Sequence, residues 1–220
     1  MKANNVRLPN TIHPCILTIF PFLPGPNHEG YHWEHIGQHI SYWKQANLHL
    51  GEITVVALGQ LLDIALALHQ DPTFSRKIGK TVLLGGAFSI NGNVNPAAET
   101  NMSYADRDKL VQSNGRFAQY LSRILEVYFS YHREAYFTRG VYLHDPTTIL
   151  VAINPSLVTF TEGVVRVQTT GITRGLTILY NGQKRFGEHT EWSDKPTVKV
   201  AVPVDAPSVV KLVLDRLMES

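Results

Sequence analysis

A short apolar run, followed by a glycine turn and three polar side chains, constrains the fold of this chain more than any other feature. Residues 81–84 have the composition of a buried parallel strand, and the two glycines that follow allow the backbone to turn tightly. Asn93, Glu99 and Asn101 come next, close together in the sequence. Because open α/β sheets bind ligands in the loops that follow their strands, this segment predicts a ligand site.

The polar side chains of this loop favour a sugar as the ligand. Carboxamides and a carboxylate offer hydrogen-bond donors and acceptors together, which suits vicinal hydroxyl groups. A phosphate site would instead require Lys, Arg or a P-loop. The alternative is structural, because Asn, Gly and Pro also build long turns. The residues of the loop alone leave both interpretations open.

The pattern of apolar residues from position 51 onward predicts an α/β fold. A strand at 53–58, a helix at 61–68 and a strand at 81–84 imply parallel pairing with a right-handed crossover. We therefore expect an open, mostly parallel, Rossmann-like sheet with flanking helices. Further predicted elements are a long amphipathic helix over 107–137, strands at 164–168, 176–180 and 198–202, and a closing helix at 206–218.

Residues 1–50 differ from the rest of the chain and are rich in Pro, His and Asn. They predict an irregular leader, and residues 51–220 predict the folded domain. The 220-residue chain has a net charge of +2, which gives no reason to expect binding to nucleic acid or to an acidic membrane surface. A single cysteine, Cys15, and the lack of an apolar run long enough for a membrane helix predict a cytoplasmic protein.

Two ordered motifs resemble a known family. Gly-Gly-Ala-Phe at 85–88 and Gly-Asn-Val-Asn-Pro-Ala-Ala-Glu-Thr-Asn at 92–101 resemble the substrate loop of the inosine-uridine preferring nucleoside hydrolases. Tyr-Leu-His-Asp-Pro at 142–146 resembles the later His-Asp-Pro motif, and residues 162–220 resemble the C-terminal part of plant-type members. The resemblance covers roughly residues 51–220. It implies an enzyme of ribonucleoside catabolism, which hydrolyses the N-glycosidic bond of uridine or inosine into base and ribose.

The resemblance also implies roles for single residues. Asn93, Glu99 and Asn101 match the ribose-binding positions of the family's substrate loop. Asp145 matches a ligand of the family's calcium ion, and His144 matches the catalytic histidine that faces the leaving base. From the residues alone, His144 also fits a histidine in a turn, and Asp145 a plain helix cap before a proline.

Three tyrosines, Tyr128, Tyr131 and Tyr136, lie in the predicted helix that precedes the second motif. Family members often place aromatic side chains over the base from this region. For these three residues, core packing is the role that we predict.

The chain departs from the family at two main places, besides a smaller change at 57–63. The family carries an Asp-x-Asp-x-x-x-Asp-Asp cluster at the end of its first strand, whereas the first aspartate here is Asp63. Calcium takes roughly six to eight oxygen ligands, so Asp145 alone predicts no tight calcium binding. After Asn101 the family continues through a helix and a strand, about 30 residues that this chain lacks. The chain is therefore predicted to be a truncated, internally deleted member.

These departures leave alternatives to nucleoside hydrolysis. One is a non-catalytic remnant, or an oligomer partner of identical chains or of intact family members. The other is zinc hydrolysis, because His28, Glu29 and His32 formally match H-E-x-x-H, and His35 and His39 continue the same helical spacing. A glycine inside this motif and a Pro-Gly-Pro segment before it count against the helix that such a site requires.

Overall fold

The computed structural model describes seven stretches of the chain, which are residues 16–19, 44–59, 61–85, 100–168, 170–173, 176–182 and 188–219. Contacts within the backbone divide the chain into two compact units, Met1–Leu84 and Gly85–Ser220. The domain boundary predicted at residue 50 stays a prediction. No helix in the described stretches is both long enough and apolar enough to cross a membrane.

The first unit contains a three-stranded parallel sheet. Its order is β1 (Ile16–Ile19), β2 (Thr54–Ala57) and β3 (Lys80–Leu83), with β2 in the centre. The last three residues of β2 are buried, as expected for the central strand of a parallel sheet. Strand β1 lies within residues 1–50, where an irregular leader was predicted.

The strand, helix, strand order predicted for this unit is confirmed. Helical residues 44–48 (α1) precede β2, and α2 (Leu62–Gln70) and α3 (Phe74–Lys77) connect β2 to β3. The prediction of a buried third strand is wrong, because three of the four residues of β3 are exposed. The core of the unit is formed by Ala46, Ile53, Val55, Ala67 and Phe74.

The second unit begins with alternating short strands and helices and ends in a larger sheet. The long helix predicted over 107–137 is two helices, separated at residues 113–115. Position 115, which precedes α5, is a glycine with little room for a side chain, because a Cβ there would lie 2.9 Å from the carbonyl oxygen of Leu217. The elements are β4 (Asn101–Ser103), α4 (Tyr104–Gln112), α5 (Arg116–Tyr136), β5 (Gly140–Tyr142), α6 (His144–Ile153), a 3₁₀ turn (Pro155–Leu157), β6 (Val158–Val167), β7 (Thr177–Tyr180), β8 (Val198–Val204) and α7 (Ala206–Met218).

The strands of the second unit pair antiparallel. β4 pairs with β5, and β6 lies between β7 and β8. The α/β class predicted from the sequence is confirmed, while parallel pairing among the described strands is confined to the first unit. The fold is therefore an incomplete α/β fold built from small sheets.

The two-stranded ribbon of β4 and β5 has one face in the core of the second unit, and its other face carries Asn101 and Tyr142. Met102 opposes Val141 in the middle of the ribbon, and both side chains are fully buried. Successive residues of a strand point to opposite faces, so Asn101 and Tyr142, which oppose each other, lie on the other face. The core behind Met102 and Val141 contains Leu110, Ala118, Leu125, Phe129, Leu143, Val210 and Leu214.

Candidate active site

One end of the β4–β5 ribbon brings three of the predicted site residues together. Asn101 opposes Tyr142 across the ribbon, and the Leu143 N–H donates a 2.9 Å hydrogen bond to the carbonyl of Thr100. Helix α6 begins directly afterwards, with His144 and Asp145 as its first two residues. Asn101 therefore lies beside the start of the helix that carries His144 and Asp145. Asn93 and Glu99 fall outside the described residues.

The side chain of Asn101 lies across the ribbon because position 140 is a glycine. A Cβ at Gly140 would overlap the Asn101 amide oxygen and would meet the carbonyl oxygen of Met102 at 2.5 Å. No other amino acid fits there without moving Asn101 or the backbone of β4. Gly140 thus holds open the space that the Asn101 amide occupies.

Five aromatic and imidazole rings, which we name the ring cluster, surround this end of the ribbon. Ring centroids are 4.4 Å apart for Tyr128 and His132, 5.6 Å for His132 and Tyr142, and 5.7 Å for Tyr142 and His144. Tyr131 contacts His132 at 6.0 Å. These separations are those of interacting rings. Helix α5, strand β5 and helix α6 thus meet at the ring cluster.

The prediction that the tyrosines of α5 pack in the core is wrong for Tyr128 and Tyr131. Their exposed fractions are 39% and 53%. Tyr136 is the last residue of α5, and its side chain falls outside the described part of the chain. The buried ring on this side of α5 is that of His132, which is only 3% exposed.

Burial shifts the pKa of three members of the ring cluster, His144, His132 and Tyr128. It lowers the pKa of His144 below 6.5, although the neighbouring Asp145 carboxylate acts in the opposite direction. Burial also lowers the pKa of His132, and proximity to His144 lowers it further. The pKa of Tyr128 is raised, first by burial and then by Asp145 and Tyr131. Both imidazoles are therefore neutral at pH 7, and each offers one donor and one acceptor.

Asp145 does not serve as a helix cap, which corrects one of the alternatives open at the sequence level. The N-cap position of α6 is Leu143, no side chain there makes a capping hydrogen bond, and Asp145 lies in the first turn. Burial raises the pKa of Asp145 above 3.8, and His144 only partly offsets this effect. A carboxyl group whose charge is disfavoured by its surroundings is typical of a functional site.

The described residues around Asp145 do not form a calcium site. They contain no group of three or more His, Cys, Asp or Glu side chains placed to hold a metal ion. Calcium requires several oxygen ligands, and Asp145 supplies a single carboxylate. The geometry of this part of the chain thus gives no basis for a step through calcium. The histidines at 28, 32, 35 and 39 fall outside the described residues.

The comparison with family models decides the ancestry of the chain. Residues 21–107 and 102–211 match the model described as inosine-uridine preferring nucleoside hydrolase. The chain belongs to the inosine-uridine preferring nucleoside hydrolase family. The match begins at residue 21, earlier than the resemblance at about 51 indicated. Its two segments overlap at 102–107, beside the junction after Asn101 where the sequence predicts a deletion.

Several plant and bacterial nucleoside hydrolases are similar to this family member. Probable uridine nucleosidase 2 from Arabidopsis thaliana is 58% identical over 80% of this chain and 64% of its own length. Probable uridine nucleosidase 1 from Oryza sativa subsp. japonica is 35% identical over 76% of this chain and 61% of its own length. The chain thus spans less than two thirds of these relatives.

Solved nucleoside hydrolases have the same fold over most of the chain. A plant nucleoside hydrolase is 38% identical with a TM-score of 0.78, over 83% of this chain and 67% of that structure. A purine-preferring ribonucleoside hydrolase from Gardnerella vaginalis is 26% identical with a TM-score of 0.70, over 82% of this chain and 65% of that structure. Both structures support the incomplete nucleoside hydrolase fold.

Two members of the ring cluster were not identified from the sequence. His132 follows Tyr128 by four residues, so both occupy the same side of a helix. Tyr142 precedes His144 by two residues and lies on the same face of the β4–β5 ribbon as Asn101. These spacings were visible in the sequence, but only the crossing of α5 over β5 brings His132 to Tyr142.

Proposed function

We propose that this chain binds ribonucleosides of the uridine and inosine class and hydrolyses their N-glycosidic bond to free base and ribose. The observation that carries the proposal is the convergence of Asn101, His144 and Asp145 at one end of the β4–β5 ribbon. The family membership and the relatives named uridine nucleosidases support the same reaction.

The ribose side of the proposed site uses Asn101. Its amide lies over Gly140, on the ribbon face that also carries Tyr142. An amide donates and accepts hydrogen bonds, which suits the vicinal hydroxyls of a ribose. We assign Asn93 and Glu99 to the same sugar on the basis of the loop motif.

The base side of the proposed site uses His144 and the ring cluster. Cleavage of the bond between C1′ and the base nitrogen leaves negative charge on the departing base, so a nearby N–H donor favours it. His144 is neutral because burial lowers its pKa, and a neutral imidazole offers such a donor at pH 7. The exposed faces of Tyr128 and Tyr131 offer a surface for a planar base.

Asp145 is the carboxylate that we propose for the metal position of the family. Further carboxylate ligands would come from outside the described residues, because these contain no group of three or more His, Cys, Asp or Glu side chains placed to hold a metal ion. We also propose a cytoplasmic location, since a single cysteine fits a reducing compartment.

The test is product analysis with the purified full chain. Uridine and inosine are incubated with the protein, with added calcium or with a chelator, and free base and ribose are separated by chromatography. We expect release of both products in equal amounts. The Asp145→Asn variant is expected to lose the release of base and ribose. Asp106→Asn is the matched control, because Asp106 also lies in the first turn of a helix.

The second candidate function is nucleoside binding without turnover, alone or as an oligomer partner of intact relatives. The lack of a carboxylate cluster around Asp145 in the described part of the chain favours it. Calorimetry with uridine separates the two functions. Heat of binding without any ribose release would establish the binding function, and ribose release would establish the hydrolase.

A further inference from the structure

Tyr142 is the member of the ring cluster that touches rings from two different helices. Its ring centroid lies 5.6 Å from that of His132 on α5 and 5.7 Å from that of His144 on α6. The planes of the Tyr142 and His144 rings are tilted by 38°, an arrangement in which two rings interact. Tyr142 therefore links α5 to the helix that carries the proposed hydrogen-bond donor.

The neighbours of Tyr142 hold it in place. His132, which is only 3% exposed, packs against its ring. The Thr138 hydroxyl group donates a 2.9 Å hydrogen bond to the carbonyl of Gly140, and the Thr138 N–H donates one of 3.4 Å to the carbonyl of His132. These two bonds tie the start of β5 to the last turn of α5. The pairing of Tyr142 with Asn101 fixes the strand from its other edge.

The single residue between Tyr142 and His144 is anchored through its backbone. The Leu143 N–H donates a 2.9 Å hydrogen bond to the carbonyl of Thr100, and the Leu143 carbonyl accepts a 3.0 Å hydrogen bond from the Thr147 N–H. The side chain of Leu143 is buried in the core of the second unit. The backbone positions of Tyr142 and His144 are thus fixed, and only the rotation of the His144 side chain is left open.

The contact with Tyr142 restricts this rotation. His144 is exposed, and no hydrogen bond to its ring is present within the described part of the chain. An exposed imidazole samples several side-chain rotamers, whereas a proton donor must lie about 2.6–3.2 Å from its acceptor. A fixed ring beside the imidazole favours one orientation over the others.

We propose that Tyr142 is a positioning residue, whose ring orients the His144 imidazole toward the base of a bound ribonucleoside. The inference rests on the proposed function, in which His144 offers an N–H to the departing base. Tyr142 acts by ring packing, so its ring is required and its hydroxyl group is not. Tyr142 also opposes Asn101 across the ribbon, so it adjoins both the proposed base contact and the proposed ribose contact.

The loss of this orientation should slow the reaction without weakening substrate binding. Misplacement of a reacting group by about 1 Å can cost about 100-fold in rate. Tyr142→Leu keeps His144 but leaves its imidazole free to rotate, so we expect a decrease in kcat of about tenfold. The KM for uridine should stay within about twofold, because negative charge develops on the base only in the transition state.

Steady-state hydrolysis of uridine by the full chain and three variants tests the proposal. Tyr142→Leu should show the decrease in kcat, and Tyr142→Phe, which keeps the ring, should stay within about twofold of the wild type. Tyr180→Leu is the matched control, because Tyr180 is also a half-buried last residue of a strand and packs on a ring, that of Trp192, at 5.4 Å. Equal decreases in the two leucine variants, or an equal decrease in Tyr142→Phe, would overturn the proposal.

A double-variant cycle shows whether Tyr142 acts through His144. In the His144→Ala background, Tyr142→Leu should change kcat by less than about twofold, because no imidazole remains to be oriented. A tenfold decrease in both backgrounds would overturn the proposal, since a purely structural role predicts that result. Thermal unfolding checks that each variant is folded in the assay, and Tyr142→Met replaces Tyr142→Leu if the latter is unfolded.

Proton nuclear magnetic resonance tests the ring contact without substrate. The imidazole signals of His144 are identified by their loss in His144→Ala. They should move toward the positions of an unfolded histidine in Tyr142→Leu, but not in Tyr142→Phe or Tyr180→Leu. Unchanged His144 signals in Tyr142→Leu would overturn the proposal. If these signals move as expected but the wild-type chain releases no ribose, only the proposed hydrolysis is contradicted.

Discussion

Helices α4 and α6 start from the same ribbon, and each carries an aspartate in its first turn, but the two aspartates have opposite surroundings. Asp106 of α4 forms a capping box with Ser103 and accepts a 2.8 Å hydrogen bond from Lys109. Burial opposes its ionisation, yet the bonds from Lys109 and Ser103 outweigh burial and lower the pKa of Asp106. The charge of Asp106 is therefore used to hold the helix in place.

Asp145 of α6 occupies a similar position without the same support. No side chain caps α6, and burial raises the pKa of Asp145. A negative charge near a helix N-terminus is favourable, so Asp145 suits its place in the first turn although desolvation raises its pKa. The difference is that the charge of Asp106 is bound within its own helix, whereas Asp145 is exposed and α6 has no side-chain cap.

The largest expected effect is a difference in ribose release between variants of the two aspartates. Asp145→Asn should reduce ribose release from uridine by about 100-fold or more, the scale of a lost catalytic group. The same variant should be about as stable as the wild type at pH 7, because Asp145 is exposed and α6 has no side-chain cap to lose. Steady-state ribose release and thermal unfolding measure the two effects. A loss of activity that is explained by a loss of stability would contradict the difference between Asp145 and Asp106.

The next largest effect concerns the ribbon from which both helices start. Gly140→Ala should lower the free energy of unfolding by about 1–3 kcal/mol, because its methyl group overlaps the Asn101 amide. Gly85→Ala is the control, since a Cβ there meets nothing within 4 Å. Urea denaturation measures both variants. Equal stability of the two would show that the Asn101 side chain does not depend on Gly140.

A smaller effect is expected from the capping box of α4. Asp106→Asn should lower the free energy of unfolding by about 1 kcal/mol, the usual scale of a lost cap. Because the pKa of Asp106 is lowered, its contribution is present above pH 3.8 and is lost as the pH falls below that value. Urea denaturation at pH 7 and pH 3 compares the variant with the wild type. A difference that stays constant between the two pH values would contradict the role of the charge.

The smallest effect is a pH dependence of stability from the ring cluster. The pKa values of His132 and His144 lie below 6.5, so the unfolded chain binds protons first as the pH falls. Stability should therefore decrease as the pH drops below 6.5 and be complete above it. Asp145, with a raised pKa, acts in the opposite direction only as the pH approaches 3.8. Thermal unfolding of His144→Gln, which should depend less on pH below 6.5, checks this prediction.

The local sequence pattern was sufficient to predict the closing helix and the central strand of the parallel sheet. The closing helix has the predicted bounds, Ala206–Met218, and β2 lies within its predicted range. The separation of α4 from α5 was missed because apolar residues continue on both sides of 113–115, although Ser-Asn-Gly at these positions is a local turn signal. Strands β4 and β5 were missed because three residues are too few to show a period.

The candidate site was predictable as residues but not as an arrangement. Asn101, His144 and Asp145 were found by motif, and their roles stay predictions. Their proximity comes from the pairing of Asn101 with Tyr142, which joins segments 41 residues apart (142 − 101). His132 was missed because its place beside Tyr142 depends on how α5 crosses the ribbon. The arrangement of the candidate site thus depends on pairing between distant segments, which local sequence patterns do not show.

The central claim is that the ribbon end carrying His144 still cleaves ribonucleosides. Ribose released from uridine by the full chain, compared with the His144→Ala variant in one assay, tests it most directly. We predict release by the wild type and a decrease of about 100-fold or more in the folded variant. No release by a folded wild-type chain, or equal release by both proteins, would contradict the claim.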